Sequence, residues 1–134
     1  MRLALALLVT ALMQPPALRP CPSTPNCVST EATRARQAMP PVAFTDAPDR
    51  AQARARAALL AEPRTTVVEE RAGYLHAESR SRVFRFVDDV EVVVDADARV
   101  FRFRSASRVG RRDFGVNRAR MQRVSGRLAA PAGA

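Results

Sequence analysis

The chain contains no lysine and no tryptophan, and it has one histidine, two cysteines and only 5% aromatic residues among 134 positions. With so few aromatic residues, the core must be small and built from Val, Leu and Phe. A typical zinc site needs three or four ligands, and the single histidine, His76, is distant in sequence from the two cysteines. We therefore predict no metal and no cofactor.

The absence of lysine means that arginine carries all of the positive charge, and the formal net charge is +9. Two interpretations remain open for this composition. Arginine is the better residue for two-pronged contacts with carboxylates and phosphates. Arginine in place of lysine, together with abundant alanine, is also what GC-rich coding produces. An excess of basic residues can indicate nucleic acid as a partner, but the amino terminus resembles an export signal, which argues against that partner.

The first residues have the pattern of an export signal. Met1 and Arg2 precede an apolar run from Leu3 to Met13 that only Thr10 interrupts, as in a secretory signal peptide. The run is shorter than the roughly 20 residues of a membrane span. We predict that residues 1–20 are a signal peptide or an uncleaved N-terminal anchor. The protein is then exported, and periplasmic or membrane-associated.

Cys21 and Cys27 are separated by five residues. Two cysteines this close in an exported chain most simply form a disulfide that closes a short loop. Separately used thiols, a redox pair and half of a metal site are the alternatives. Residues 21–45 are predicted to be a Cys-Pro motif followed by a linker, because the stretch contains Pro40 and Pro41 and its apolar residues show no regular spacing.

The folded domain is predicted over residues 46–129, with a disordered tail over 130–134. Thr45 or Asp46 can cap a first helix that runs from Asp49 to Glu62. Asp113 can cap a last helix from Phe114 to Leu128. Between them, alternating or β-branched segments predict four strands: Thr65–Arg71, Tyr74–Arg80, Val83–Asp95 and Val100–Ser107. The short turns between strands indicate an α+β fold (α-β-β-β-β-α), a four-stranded antiparallel meander with both helices on one face.

Alternation in the last two strands places an acid among core residues. Asp88 shares a face with Phe84, Phe86 and the valines that follow it, and the corresponding face of the next strand carries Phe101, Phe103, Ser105 and Ser107. A buried carboxylate needs a charged or hydrogen-bonding partner. One interpretation is that Asp88 ties the last helix to the sheet. The other is a polar pocket, where sheet end and helix start meet, that binds an anion or a peptide backbone.

The opposite face of the predicted sheet is rich in arginine. Arg82, Arg85, Arg102 and Arg104 lie opposite Asp89 and Glu91. Cross-strand ion pairs account for such a pattern, and an acidic partner or an anionic lipid surface is the alternative. His76 lies beside Tyr74 on an alternating strand and is predicted to be a surface or half-buried residue rather than a catalytic base.

Three motifs in this chain resemble the bacterial and plastid family of domain of unknown function 1499. They are the segment from Cys21 to Ser29, the strand from Phe86 to Glu91, and the two segments Arg104–Gly110 and Asp113–Arg118. The resemblance implies exported, thylakoid-lumen or membrane-tethered settings, and no activity is established for the family. The first helix departs from the family, because relatives often carry a large aromatic residue there and this chain has mostly Ala and Arg. The resemblance places the shared positions here at Cys21, Pro22, Asn26, Cys27, Asp88, Asp89, Arg104, Ser105, Ser107, Arg108, Gly110, Asp113, Gly115, Asn117 and Arg118.

We predict a non-enzymatic, exported domain that binds an envelope protein or an anionic ligand. A small enzyme that uses Asp88 or the Cys21/Cys27 pair is the alternative, and a purely structural envelope component is a third hypothesis. The candidate binding residues are Asp88, Asp89, Arg104, Ser105, Ser107, Arg108, Asp113, Asn117 and Arg118.

Overall fold

A computed structural model describes residues 14–130, so most of the predicted signal segment and nearly all of the predicted tail lie outside the described residues. The described residues fold into two helices and one sheet, which makes the protein α+β. The elements are β1 (Cys27–Ser29), β2 (Val42–Ala43), α1 (Pro48–Leu60), β3 (Thr65–Arg71), β4 (Tyr74–Arg80), β5 (Val87–Asp95), β6 (Val100–Ser107) and α2 (Val116–Ala129).

The sheet has six strands and not the four that the sequence predicted. Strands β3 to β6 form the expected antiparallel meander, and β1 and β2 pair with the outer edge of β6. The two added strands lie in the segment predicted as motif and linker. They contain three and two residues, which is too short for an alternating pattern to be recognised in the sequence.

Both helices pack on one face of the sheet and cover its apolar side. Helix α1 contributes Ala51, Ala55 and Ala58, whose small side chains let its backbone approach the strands closely. Helix α2 contributes Met121, Val124 and Leu128. The strand residues of this core are Leu75, Ala77, Val90, Val92, Val94, Phe101 and Phe103.

The strand predicted from Val83 begins instead at Val87, and Phe84 and Phe86 are not core residues. Residues 81–86 form a turn in which the Ser81 amide donates to the Phe86 carbonyl at 2.9 Å and the Phe86 amide donates to the Ser81 hydroxyl at 2.8 Å. Arg85 has a φ of 55°, which breaks the pleat that alternation assumes. Phe84 is therefore 75% exposed and Phe86 is 54% exposed.

The second face of the sheet is the one that the sequence predicted to be rich in arginine. Residues 14–20, here called the N-terminal strap, cover part of it. Leu18 is only 6% exposed and packs against Tyr74 and Val93, and Arg102 donates to the Pro16 carbonyl at 3.4 Å. Within residues 14–130, neither helix has the length and apolar character needed to cross a membrane.

Candidate functional site

Asp88 lies on the helix face of β5, as alternation predicted, and its partner is a residue of α2. The Arg120 guanidinium donates to Asp88 Oδ2 at 2.7 Å. Its other terminal nitrogen donates to Ser105 Oγ at 3.2 Å and to Asn117 Oδ1 at 2.9 Å. Asp88 and Arg120 are 9% and 7% exposed, so this ion pair is nearly withdrawn from water.

The same hydrogen-bonded set continues to the start of α2. The Asn117 amide group donates to Ser107 Oγ at 3.0 Å and to Asp113 Oδ2 at 2.8 Å. The Asp113 carboxylate also accepts from the backbone amides of Gly115 and Asn117, each at 3.0 Å. Burial opposes ionisation of Asp113, but the hydrogen bonds from Asn117 and Gly115 outweigh it and hold its pKa below the ordinary value.

We call this set the buried network; its members are Asp88, Ser105, Ser107, Asp113, Asn117 and Arg120. Every one of these side chains has a partner inside the network. The sequence predicted Asp113 as the cap of a helix from Phe114, but α2 begins at Val116 and its N-cap position is Gly115. Asp113 lies two residues earlier and accepts from the Asn117 amide in the first turn. The network therefore joins the start of β5 and the end of β6 to the first turns of α2.

The disulfide between Cys21 and Cys27 is present, which confirms the predicted pairing. It closes a loop whose Asn26 lies against the segment that follows β6. The Asn26 side chain donates to the Gly110 carbonyl at 2.8 Å, and the Ser107 amide donates to the Asn26 carbonyl at 3.0 Å. The loop therefore braces the segment between β6 and α2 from the sheet edge.

On the second face of the sheet, Asp89 lies between a histidine and an arginine. His76 Nε2 is 2.7 Å from Asp89 Oδ1, and Arg108 donates to both Asp89 oxygens at 2.7 and 2.8 Å. Arg108 also reaches Glu78 at 2.7 Å. Burial raises the pKa of Asp89, but the hydrogen bonds from Arg108 and His76 outweigh it and lower that pKa to about 2. His76 is half-buried, as predicted.

A second cluster on this face surrounds Glu91, which is 1% exposed. Tyr74 donates its hydroxyl to Glu91 Oε1 at 2.8 Å, Arg19 of the strap lies 3.2 Å from the same oxygen, and Arg104 is 3.7 Å from Oε2. Burial and the neighbouring Glu91 carboxylate raise the pKa of Tyr74 well above its ordinary value. Burial lowers the pKa of Arg104, although the Glu91 charge opposes this shift.

The predicted pairing of four arginines with Asp89 and Glu91 is only partly realised. Arg104 lies beside Glu91, whereas Arg102 contacts Glu31 and Asp95 instead. Arg82 and Arg85 are in the exposed turn of residues 81–86 and contact neither acid, because the strand begins after them.

An open cleft lies where the disulfide loop meets the start of α2. Its volume is about 450 Å³, and we call it the α2 cleft. Phe114 at its edge is 96% exposed and has a φ of 55°, an uncommon backbone conformation for a bulky residue. Arg118 donates to the backbone carbonyls of Arg36 and Ala38 at 2.7 and 3.3 Å. The residues that line the cleft are Pro25, Val28, Arg36, Arg112, Asp113, Phe114, Gly115 and Arg118.

The candidate residues do not form one site. Five lie in the buried network, three lie on the second face of the sheet, and Arg118 lies in the α2 cleft, where Asp113 also contributes. Sequence reasoning missed Arg120, which lies one helical turn after Asn117, and it missed Arg36 and Arg112 of the cleft. Within residues 14–130, no group of three histidine, cysteine or acidic side chains is arranged to hold a metal ion.

Comparison with known proteins adds one finding. A family model described as "Protein of unknown function (DUF1499)" matches residues 17–128. The match therefore covers the disulfide loop, the whole sheet and nearly all of α2, and it includes Leu18 and Arg19 of the strap. No curated protein and no solved structure matches the chain.

Proposed function

The chain belongs to the DUF1499 family of proteins of unknown function, and on that premise we propose that it is a non-enzymatic, exported binding protein that takes an anionic group in the α2 cleft. The observation that carries the proposal is the set of three arginines, Arg36, Arg112 and Arg118, that line this cleft. Arginine is well suited to bind carboxylate and phosphate groups through paired hydrogen bonds.

The charge balance in the cleft favours a negative ligand. Among residues 14–130, Asp113 is the only acid that lines it, and its two oxygens accept hydrogen bonds from Asn117 and Gly115. Arg112 is exposed and makes no salt bridge with residues 14–130. The backbone amides of Gly115 and Asn117 at the start of α2 already donate to Asp113, so the guanidinium groups carry the positive charge of the cleft.

Two sets of contacts fix the residues that line the cleft, as expected for a site that is formed before the ligand binds. The buried network fixes the first turn of α2 through Asp113 and Asn117. The disulfide loop is fixed to the segment before α2 through Asn26 and Gly110. Phe114, strained and almost fully exposed, offers an aromatic surface to an apolar part of the same ligand. Strained residues of this kind are common at ligand sites.

Export and association with the cell envelope are part of the proposal. The disulfide supports an oxidising compartment, and the apolar run before residue 14 supports a signal or an anchor. The partner is then an acidic segment of an envelope protein or a small anionic ligand. A small enzyme is less well supported, because Arg120 occupies the Asp88 carboxylate and the two cysteines are oxidised.

The test is an NMR titration of the full chain with two probes, inorganic phosphate and acetate. We expect the backbone amide signals of Gly115 and Val116 to shift saturably with at least one probe. Arg112→Gln should weaken that binding about tenfold, because it removes a charge-assisted hydrogen bond. Arg50→Gln is the matched control, since Arg50 is an exposed arginine of α1, and it should leave the affinity unchanged. Amide shifts that do not saturate with either probe would contradict the proposal. Equal affinities of the Arg112→Gln and Arg50→Gln proteins for the probe would also contradict it.

A further inference from the structure

The turn between β4 and β5 carries an exposed apolar surface that the proposed function does not use. We call residues 81–86 the β4–β5 tip. Val83, Phe84 and Phe86 are 77%, 75% and 54% exposed, and the two phenylalanine rings stack with centroids 5.6 Å apart. Exposed apolar patches of this kind mark surfaces that contact a protein or a membrane. The two Ser81–Phe86 hydrogen bonds hold the tip in a fixed shape.

The tip is basic as well as apolar. Arg82 and Arg85 lie on either side of Val83 and Phe84, and residues 80–87 contain no acid. Both arginines are exposed, and neither forms a salt bridge within the part of the chain from Gln14 to Ala130. The charge of the tip is therefore uncompensated by the neighbouring residues of the fold.

The segment after β6 extends this surface. The Arg108 amide donates to the Val87 carbonyl at 3.1 Å, so residues 108–112 leave the sheet beside the tip. Val109 in that segment is 53% exposed, and Arg111 is also exposed. Aromatic, aliphatic and arginine side chains thus recur on both of the segments that leave this end of the sheet.

We propose that the β4–β5 tip docks on the surface of an anionic lipid bilayer, with its apolar side chains in the headgroup region and its arginines against the lipid charge. Phe beside Arg is the composition of surfaces that lie in a membrane interface, and anionic headgroups attract basic residues within a Debye length. The 75–77% exposure of Val83 and Phe84 describes a protruding tip. A bilayer accommodates such a shape without a matching pocket, whereas a protein partner would need one.

The N-terminal strap lies at the end of the sheet opposite to the β4–β5 tip. Pro16 lies beside Gly73 in the turn between β3 and β4, whereas the β4–β5 tip is at the far end of β4. Strand β5 has nine residues, which corresponds to about 30 Å at the usual rise per residue. Membrane binding by the residues before Gln14 therefore would not by itself bring the tip into a bilayer.

The absence of tryptophan from the sequence makes the test direct. In the full chain, Phe84→Trp places a single indole on the tip, and Val68→Trp is the control, since Val68 is 48% exposed on the edge strand β3. We expect vesicles of phosphatidylcholine with phosphatidylglycerol to shift the emission of the position-84 indole to the blue. Brominated lipids should quench it. Vesicles of phosphatidylcholine alone should have little effect.

Three outcomes would overturn the proposal. The position-84 indole could show no change with anionic vesicles, or both indoles could change equally. The blue shift could also develop without vesicles as protein concentration rises, which would mean that a second copy covers the tip. In the Phe84→Trp background, Arg82→Gln with Arg85→Gln should weaken the vesicle affinity roughly 30-fold. These changes leave the three cleft arginines intact, so the phosphate and acetate titration should be unchanged.

Discussion

The ion pair between Asp88 and Arg120 predicts a measurable loss of stability when the carboxylate is neutralised. In Asp88→Asn the side-chain shape is kept, and one oxygen can still accept from Arg120. The positive charge of Arg120, which is 7% exposed, is then left without its counter-ion. Ser105 and Asn117 also contact that guanidinium, but both are neutral.

The size of the loss follows from the burial of the pair. Removing one partner of a buried ion pair costs about 3–5 kcal/mol. Here the side chains of Arg120 and Asp88 are 9% and 13% exposed, and the asparagine keeps one hydrogen bond. We therefore expect a loss of about 2–3 kcal/mol in the free energy of unfolding. For a domain of this length, that corresponds to a decrease in Tm of roughly 10 °C.

The assay is urea unfolding under non-reducing conditions, followed by circular dichroism. Asp97→Asn is the matched control, because Asp97 is an exposed acid in the turn between β5 and β6, and it should change stability by less than about 0.5 kcal/mol. Arg120→Met should also destabilise, and the double variant should lose less than the sum of the single losses. If Asp88→Asn behaves like the control, the buried network does not hold α2 to the sheet.

Two further predictions concern the second face of the sheet. Leu18→Ala should lower the free energy of unfolding by about 2 kcal/mol in urea titrations, since Leu18 is buried against Tyr74 and Val93. Leu60→Ala, at a position 47% exposed, should change it by under about 0.5 kcal/mol; equal losses would contradict packing of the strap. The pKa of Asp89 is lowered to about 2 in the folded protein, so the ionised carboxylate stabilises the fold. This contribution to the free energy of unfolding is complete above the unfolded-state pKa of about 4 and is lost as the pH falls toward 2. In calorimetric scans, the Tm of Asp89→Asn should decrease less than that of the wild type as the pH is lowered from about 4 to about 2. An equal decrease in the two proteins would refute the lowered pKa of Asp89.

The sequence predicted the parts of the fold that have long, regular patterns. The alternation of the strand that contains Asp88 and Asp89 placed the first on the helix face and the second on the opposite face, as observed. The disulfide was also predicted, and so was a role for Asp113 at the start of α2, since each depends on residues close together in the chain. The turn at residues 81–86 was missed because its residues continue the alternation of the strand.

The rest depends on contacts between distant residues that no local pattern reports. The strap has only Ala17 and Leu18 as non-proline apolar residues, so nothing in its sequence indicated that it covers the sheet. Arg120 belongs to a helix with many exposed arginines, and its acidic partner is 32 positions away. The arginines of the α2 cleft come from three separate segments of the chain.

The central claim is that the buried network holds α2 in place while the α2 cleft holds the ligand. The most direct measurement is the affinity of Asp88→Asn for the better of the two NMR probes, at a temperature where the variant is fully folded. The account predicts a destabilised protein whose affinity equals that of the wild type, whereas Arg112→Gln keeps its stability and loses affinity about tenfold. A folded Asp88→Asn protein that no longer binds the probe would show that binding depends on the Asp88–Arg120 pair, and it would contradict the account.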